Sequence, residues 1–166
     1  EDGVEQCLIS CDDGVYRFTP PESEEQDWTV EKLVDEAASD AVLVDLDQDG
    51  EKELILISPF HGEHIYFYKK IDGDYKKVYT YDTADFAHAI YGGTLLGKPA
   101  VIIGHRKGER NLLLFTWEQE KGQYQVEILD RDCGPANVFK YERGTEEVLI
   151  STNREIDEVA MYTFEK

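Results

Sequence analysis

The residues most able to do chemistry form an acidic cluster between two short aliphatic runs. In AVLVDLDQDGEKELILIS, Asp45, Asp47 and Asp49 occupy alternate positions, Gly50 follows, and Glu53 is the ninth residue counted from Asp45. Carboxylates this close repel one another unless a cation holds them together. Calcium is a hard cation that prefers all-oxygen sites, so the spacing predicts a calcium loop.

The ligand set follows from positions in that loop. The predicted ligands are the carboxylates of Asp45, Asp47, Asp49 and Glu53 and, at the seventh position, the main-chain carbonyl of Glu51. An EF-hand begins in the same way, but it needs a glutamate at the twelfth position and a helix on each side. Here the twelfth residue is Leu56 and the flanks are short aliphatic runs typical of strands. The loop therefore closes a β-hairpin with strands at residues 41–46 and 53–58, and a solvated acidic turn without a metal is the alternative.

The elements that position this loop belong to a repeat. EQCLISCDDGVYRF, KELILISPFHGEHIYFY, KPAVIIGHRKGERNLLLF and EEVLISTNREIDEVAMYTF each contain an aliphatic strand, a polar turn and a second strand. Their small residues recur every 46 to 48 positions, at Ser10, Ser58, Gly104 and Ser151. Flanking strands recur in three of the four copies, which predicts antiparallel groups of three, four, four and three strands.

Four short strands in a repeat of about 45 residues are typical of a β-propeller blade. The predicted fold class is all-β: about 3.5 four-stranded antiparallel blades of a β-propeller, in one segment over residues 1–166. The units span approximately residues 1–39, 40–86, 87–134 and 135–166. A β-sandwich is the competing architecture, but it does not require this regular repeat. Because the outer units each lack a strand, we expect the remaining blades of a larger propeller, six to eight in all, to lie outside this segment.

The stretch DLDQDGEKELILI resembles the FG-GAP and VCBS-type calcium-binding propeller repeat, which is found in integrin α-chain heads and many bacterial proteins. The resemblance covers the whole chain in strand pattern but only the second unit in motif. It implies the same five ligand positions, with Glu53 where aspartate is commoner. The first unit keeps only Asp2 and Gly3 of such a loop, and the corresponding GGTLLGKP and KYERGTE lack these carboxylates. One calcium site is therefore expected.

Charge and composition limit the partners. The 36 acidic residues outnumber the 17 basic ones, which gives a formal net charge of -19. Nucleic acid is not expected as a partner, because phosphate binding needs a basic surface. No apolar run approaches the roughly 18 residues of a membrane span, so no membrane insertion is expected. Cys7, Cys11 and Cys133 are expected to be free thiols, which favours the cytoplasm over an extracellular location.

A second group of candidate residues lies in turns that a propeller would gather on its other face. The four histidines of the chain all fall there: His61, His64, His88 and His105. Neutral imidazoles ligate transition metals and act as acid–base groups near pH 7, so these histidines are the candidate catalytic residues. Arg106, Lys107 and Arg110 are candidates for binding a carboxylate or an acidic sugar. Both sets also occur commonly in turns that only contact solvent.

Two functions follow from these features. The first is a non-catalytic calcium-binding propeller module that presents loops to a protein or carbohydrate. The second is the propeller part of a metal-assisted lyase or hydrolase acting on sugars, with the histidine-bearing face as its site. Convergence of two or more histidine nitrogens on one point would favour the enzyme.

Overall fold

The computed structural model describes residues 5–23 and 25–165, and this part of the chain is built from β-strands with no α-helix. Fourteen strands form four antiparallel sheets of three, four, four and three strands, as predicted. Asp2 and Gly3 lie outside the described residues. Within those residues, no helix is long and apolar enough to cross a membrane.

The four sheets follow one another along the chain. The first contains β1 (Cys7–Cys11), β2 (Gly14–Thr19) and β3 (Thr29–Val34). The second contains β4 (Asp40–Val44), β5 (Glu53–Ile57), β6 (Ile65–Ile71) and β7 (Asp74–Tyr81). The third contains β8 (Ala87–Leu95), β9 (Lys98–His105), β10 (Leu112–Glu118) and β11 (Gln123–Asp130). The fourth contains β12 (Pro135–Arg143), β13 (Glu146–Asn153) and β14 (Glu158–Glu165), with a 3-10 turn at Arg154–Ile156.

The predicted acidic hairpin is confirmed. β4 and β5 pair antiparallel, with Val44 opposite Glu53 and Ala41 opposite Leu56. The first strand ends at Val44, two residues earlier than predicted, and the second ends at Ile57, one residue earlier. The loop between the strands therefore contains all three predicted aspartate ligands.

The central strands of the second and third sheets are apolar on both faces because each packs between two sheets. Leu54 and Leu56 of β5 belong to the core shared with the first sheet, whereas Ile55 and Ile57 belong to the core shared with the third. In β9, Ile103 lies in the core shared with the second sheet. Alternate residues of these central strands thus face the preceding and the following sheet.

The first strands of successive sheets lie side by side. β1 contacts β4, β4 contacts β8, and β8 contacts β12. The outer faces of the first and fourth sheets expose apolar side chains, including Ile9 and Val30 on one and Phe139 and Met161 on the other.

The structure corrects the alignment of the repeats. The N–H of Ser58 donates to the carbonyl of His64 at 2.9 Å, and the N–H of His105 donates to the carbonyl of Asn111 at 3.2 Å. These two hydrogen bonds close equivalent turns, so His105 corresponds to Ser58. The sequence alignment placed Gly104 there, because it matched small residues rather than the ends of the strands.

The three cysteines are free thiols, as predicted. Cys7 is exposed, Cys11 is half-buried and Cys133 is buried. Burial raises the pKa of the Cys133 thiol to about 11, so this thiol is protonated at neutral pH.

Candidate metal centre

The loop between β4 and β5 folds around the side chains of its own aspartates. The N–H groups of Asp49 and Gly50 donate to the two carboxylate oxygens of Asp45, each at 3.1 Å. The N–H of Glu51 donates to Asp49 Oδ1 at 2.9 Å. Gly50 has a φ of 95°, which disfavours any side chain with a Cβ atom. These bonds satisfy the turn's backbone donors and fix the direction of the carboxylates.

The three aspartates converge as predicted. Asp45, Asp47 and Asp49 each offer a carboxylate oxygen, and these oxygens lie within 4.8 Å of one another. Of the residues that the structure describes, this is the one group of three or more histidine, cysteine or acidic side chains arranged to hold a metal ion. Oxygen-only ligands at this spacing suit a hard divalent cation.

Glu53 lies beneath the loop with its side chain fully buried. Its Oε2 accepts a hydrogen bond from the N–H of Leu46 at 2.7 Å, whereas its Oε1 has no hydrogen-bond partner. Burial raises the pKa of Glu53 to about 7; the Leu46 hydrogen bond opposes this rise and the charge of Asp47 adds to it. A fully buried carboxylate oxygen with no hydrogen bond is costly, and coordination to a cation would offset that cost.

A lysine from the same sheet enters the cluster. Lys69, on β6, makes ion pairs with Asp47 and, at 2.7 Å, with Asp49 Oδ2, and its Nζ lies 3.5 Å from Glu53 Oε1. Burial opposes its charge, but the hydrogen bonds to Asp47 and Asp49 outweigh burial and raise the pKa of Lys69. The same lysine lowers the pKa of Asp49.

The third sheet covers one side of the loop. Gln119 Nε2 donates to the carbonyl of Asp47 at 2.7 Å. The hydroxyl of Tyr124 is buried without a hydrogen-bond partner, and its ring packs on Phe67 with 4.7 Å between centroids. Burial and then the charge of Glu53 raise the pKa of Tyr124, so its hydroxyl lies within electrostatic reach of the cluster.

Sequence reasoning missed Lys69, Gln119 and Tyr124. One signal was available for the lysine: β5 and β6 pair with Leu54 opposite Tyr68, and continuing this register places Lys69 opposite Glu53. Gln119 lies in the β10–β11 turn and Tyr124 on β11, and no local pattern connects them to the loop. The group of converging carboxylates contains only the three aspartates. The roles of Glu51 and Glu53 as ligands therefore stay predictions.

The four histidines do not form one group. His61 and His88 stack with ring centroids 4.6 Å apart, and His64 Nδ1 lies 3.2 Å from Asp82 Oδ1. His105 is buried, with Nδ1 donating to the carbonyl of Lys107 at 2.9 Å and Nε2 accepting the N–H of Asn111 at 3.1 Å. Because both of its nitrogens are bonded, His105 stabilises its own turn.

His61 and His88 differ in the hydrogen bonds of their ring nitrogens. His88 Nδ1 lies 2.8 Å from the carbonyl of Ala136, which makes that nitrogen the donor and leaves Nε2 with the lone pair. His61 Nδ1 is buried without a hydrogen-bond partner, and burial lowers the pKa of His61. The two rings are parallel to within 17°, so their lone pairs do not point at a common centre in this conformation.

The predicted basic ligand-binding residues contact other side chains. Arg106 donates from Nε and Nη2 to Glu155 Oε1 at 2.9 and 2.6 Å, and Arg110 Nη2 donates to Asp132 Oδ1 at 2.9 Å. Lys107 Nζ lies 4.9 Å from the centroid of the Phe86 ring. Acidic partners already balance the charges of both arginines, and binding of an acidic sugar there stays a prediction.

Comparison with known proteins finds no family model that matches the chain and no curated protein that is similar to it. The resemblance to the calcium-binding repeat therefore rests on residues 45–57 and on the repeated strand pattern.

Proposed function

We propose that this chain is a calcium-binding, non-catalytic β-propeller module that presents loops to a protein or carbohydrate ligand. The observation that carries the calcium site is the convergence of Asp45, Asp47 and Asp49, together with a buried Glu53 oxygen that lacks a hydrogen bond and faces the same Lys69. Calcium accepts six to eight oxygen ligands at about 2.3–2.6 Å, and it accommodates irregular geometry better than magnesium does.

The propeller arrangement is supported by the packing of the sheets. The first strands of successive sheets are neighbours, and the central strands of the second and third sheets use alternate residues to face the sheets before and after them. Sheets arranged around an axis that runs beside their first strands would pack in this way. Calcium at the β4–β5 loop would then stabilise one rim of that arrangement.

The enzyme alternative, a metal-assisted lyase or hydrolase acting on sugars, has less support. Its candidate histidines contact different partners. His105 is hydrogen-bonded at both ring nitrogens, and His64 lies beside Asp82. His61 and His88 are close to each other, but among the described residues no third metal-ligating side chain completes a metal site with them.

The calcium proposal is tested by melting the protein in calcium and in EDTA. At a calcium concentration of a hundred times the dissociation constant, linkage predicts a gain of about 2.7 kcal/mol in the free energy of unfolding. Asp47→Ala removes one ligand and should abolish most of the difference between the two conditions. Asp12→Ala, which changes an exposed aspartate in the β1–β2 turn, is the control and should retain the full difference. Equal calcium effects in the Asp47 variant and the wild type would mean that calcium binds elsewhere.

A further inference from the structure

Lys69 brings a positive charge into the proposed metal centre. Its ammonium contacts carboxylate oxygens of Asp47 and Asp49 and faces Glu53 Oε1. We propose that Lys69 is the built-in counter-ion of this site, and that a divalent cation binds there by displacing its ammonium. The inference rests on the proposed calcium-binding function and adds the residue that sets the affinity.

An ammonium and a calcium ion cannot share these oxygens. Calcium would need the carboxylates of Asp47 and Asp49 at about 2.3–2.6 Å. The Lys69 ammonium contacts Oδ2 of each, and Oδ1 of each already accepts a backbone N–H. Two cations so close together would repel strongly where the surroundings are partly buried. Binding of the metal therefore requires the lysine side chain to move away.

The buried oxygen of Glu53 shows that lysine is an incomplete substitute for a metal. Glu53 is fully buried, and the 3.5 Å between its Oε1 and Lys69 Nζ exceeds the ordinary length of an N–H···O hydrogen bond. The ammonium thus balances part of the charge but leaves this oxygen without a hydrogen bond. A divalent cation at the centre of the carboxylates would supply the missing contact.

The charge balance also favours exchange of the lysine for a metal. Lys69 faces three carboxylates, those of Asp47, Asp49 and Glu53, and Asp45 adjoins two of them, so four carboxylates against one ammonium leave a formal excess of three negative charges when all are ionised. The side chain of Lys69 is 22% exposed, so rotation about its flexible stem can take the ammonium into water. Lysine would then hold the hairpin together at low calcium and give way at high calcium.

Calcium titration of Lys69→Met by calorimetry tests the affinity. Methionine preserves most of the side-chain volume and removes the charge, so we expect calcium to bind at least about tenfold more tightly than to the wild type, because no ammonium has to be displaced. Lys140→Met is the matched control: Lys140 lies 3.1 Å from the buried Glu147 in another hairpin, and its loss should leave calcium affinity unchanged.

Chemical labelling of the wild-type protein provides a readout without any substitution. Limited acetylation followed by mass spectrometry should label Lys69 more rapidly when calcium is present, whereas labelling of the exposed neighbour Lys70 should not change. Unchanged or slower labelling of Lys69 in saturating calcium would overturn the proposal, even if the methionine variant did not fold.

The results separate this inference from the function on which it rests. Equal calcium affinity in the wild type and Lys69→Met would overturn the role of Lys69 and leave the calcium site intact. Weaker binding to the variant would also overturn it. Absence of calcium binding in both proteins would overturn the proposed function, and the inference with it. Calcium binding to Lys69→Met but not to the wild type would support the counter-ion role most strongly, because the lysine would then prevent calcium from binding.

Discussion

Two hairpins of this protein bury a glutamate beside a lysine, and only one of them resembles a metal site. In β4–β5, Glu53 accepts the N–H of Leu46 and lies 3.5 Å from Lys69. In β12–β13, Glu147 accepts the N–H of Leu96 at 2.9 Å and lies 3.1 Å from Lys140. The local geometry of the two glutamates is similar, so a buried glutamate with a lysine does not by itself indicate a cation site.

The surrounding charges distinguish the two hairpins. Three aspartates adjoin the first pair, whereas among the described residues Lys140 makes one further ion pair, with Glu142 at 3.6 Å. At β12–β13, one lysine faces two described carboxylates, so the formal excess is one negative charge and the pair can act as a permanent structural contact. At β4–β5, a single lysine is outnumbered, and the excess negative charge is what a divalent cation would neutralise.

The largest effect is expected where the ion pair is most buried. Lys140 is 6% exposed and Glu147 is 1% exposed, so Lys140→Met takes the ammonium away from a buried carboxylate. We expect a loss of about 3–5 kcal/mol in the free energy of unfolding, the same in calcium and in EDTA, from chemical denaturation. Lys76→Met removes an exposed ion pair with Asp74 and should cost less than about 1 kcal/mol. A loss in Lys140→Met that calcium restores would contradict the view of this pair as purely structural.

A pH effect of somewhat smaller size is expected from Glu53 in EDTA. Its folded-state pKa of about 7 lies above the ordinary value of 4.5, so the folded protein holds this proton more tightly than the unfolded chain does. The resulting stability is fully present below about pH 4.5 and is lost as the pH rises through 7. The shift corresponds to about 3 kcal/mol between these limits.

Glu53→Gln isolates that contribution, because glutamine has no titrating group and nearly the same shape. The difference in unfolding free energy between the wild type and this variant should change by about 3 kcal/mol from pH 4.5 to pH 8 in EDTA. A difference that stays constant over this range would show that Glu53 is ionised throughout in the folded protein.

Comparison of the two hairpins also shows which features can be predicted from sequence. The aspartates of the β4–β5 loop occupy alternate positions between two strand-like runs. This local pattern predicted both the loop and the convergence of the three carboxylates. Lys69 is separated from Asp47 by a strand and a turn, so its contact depends on the register of β5 and β6. The β12–β13 pair was missed because a single glutamate and lysine form no motif.

The histidines illustrate a different limit. The sequence placed His105 in a polar turn, but β9 continues to this residue and buries it. The end of a strand depends on which backbone groups find partners, and here the N–H of Asn111 bonds the His105 ring and fixes it inside the turn. Composition alone cannot distinguish a histidine that binds ligands from one that closes a turn.

The smallest expected effect concerns the contact between the acidic loop and the third sheet. Gln119 donates to the carbonyl of Asp47, so Gln119→Ala removes one exposed hydrogen bond that restrains the loop. We expect a loss of about 0.5–1 kcal/mol in stability and a two- to fivefold weaker calcium affinity, because a freer loop loses more entropy when its carboxylates close on the ion. Gln125→Ala, which removes a hydrogen bond to Glu118 in the same sheet, should leave the affinity unchanged. If both variants bind calcium as the wild type does, the β4–β5 hairpin is preorganised by its own turn, and the charge imbalance around Lys69 is enough to explain the difference between the two hairpins.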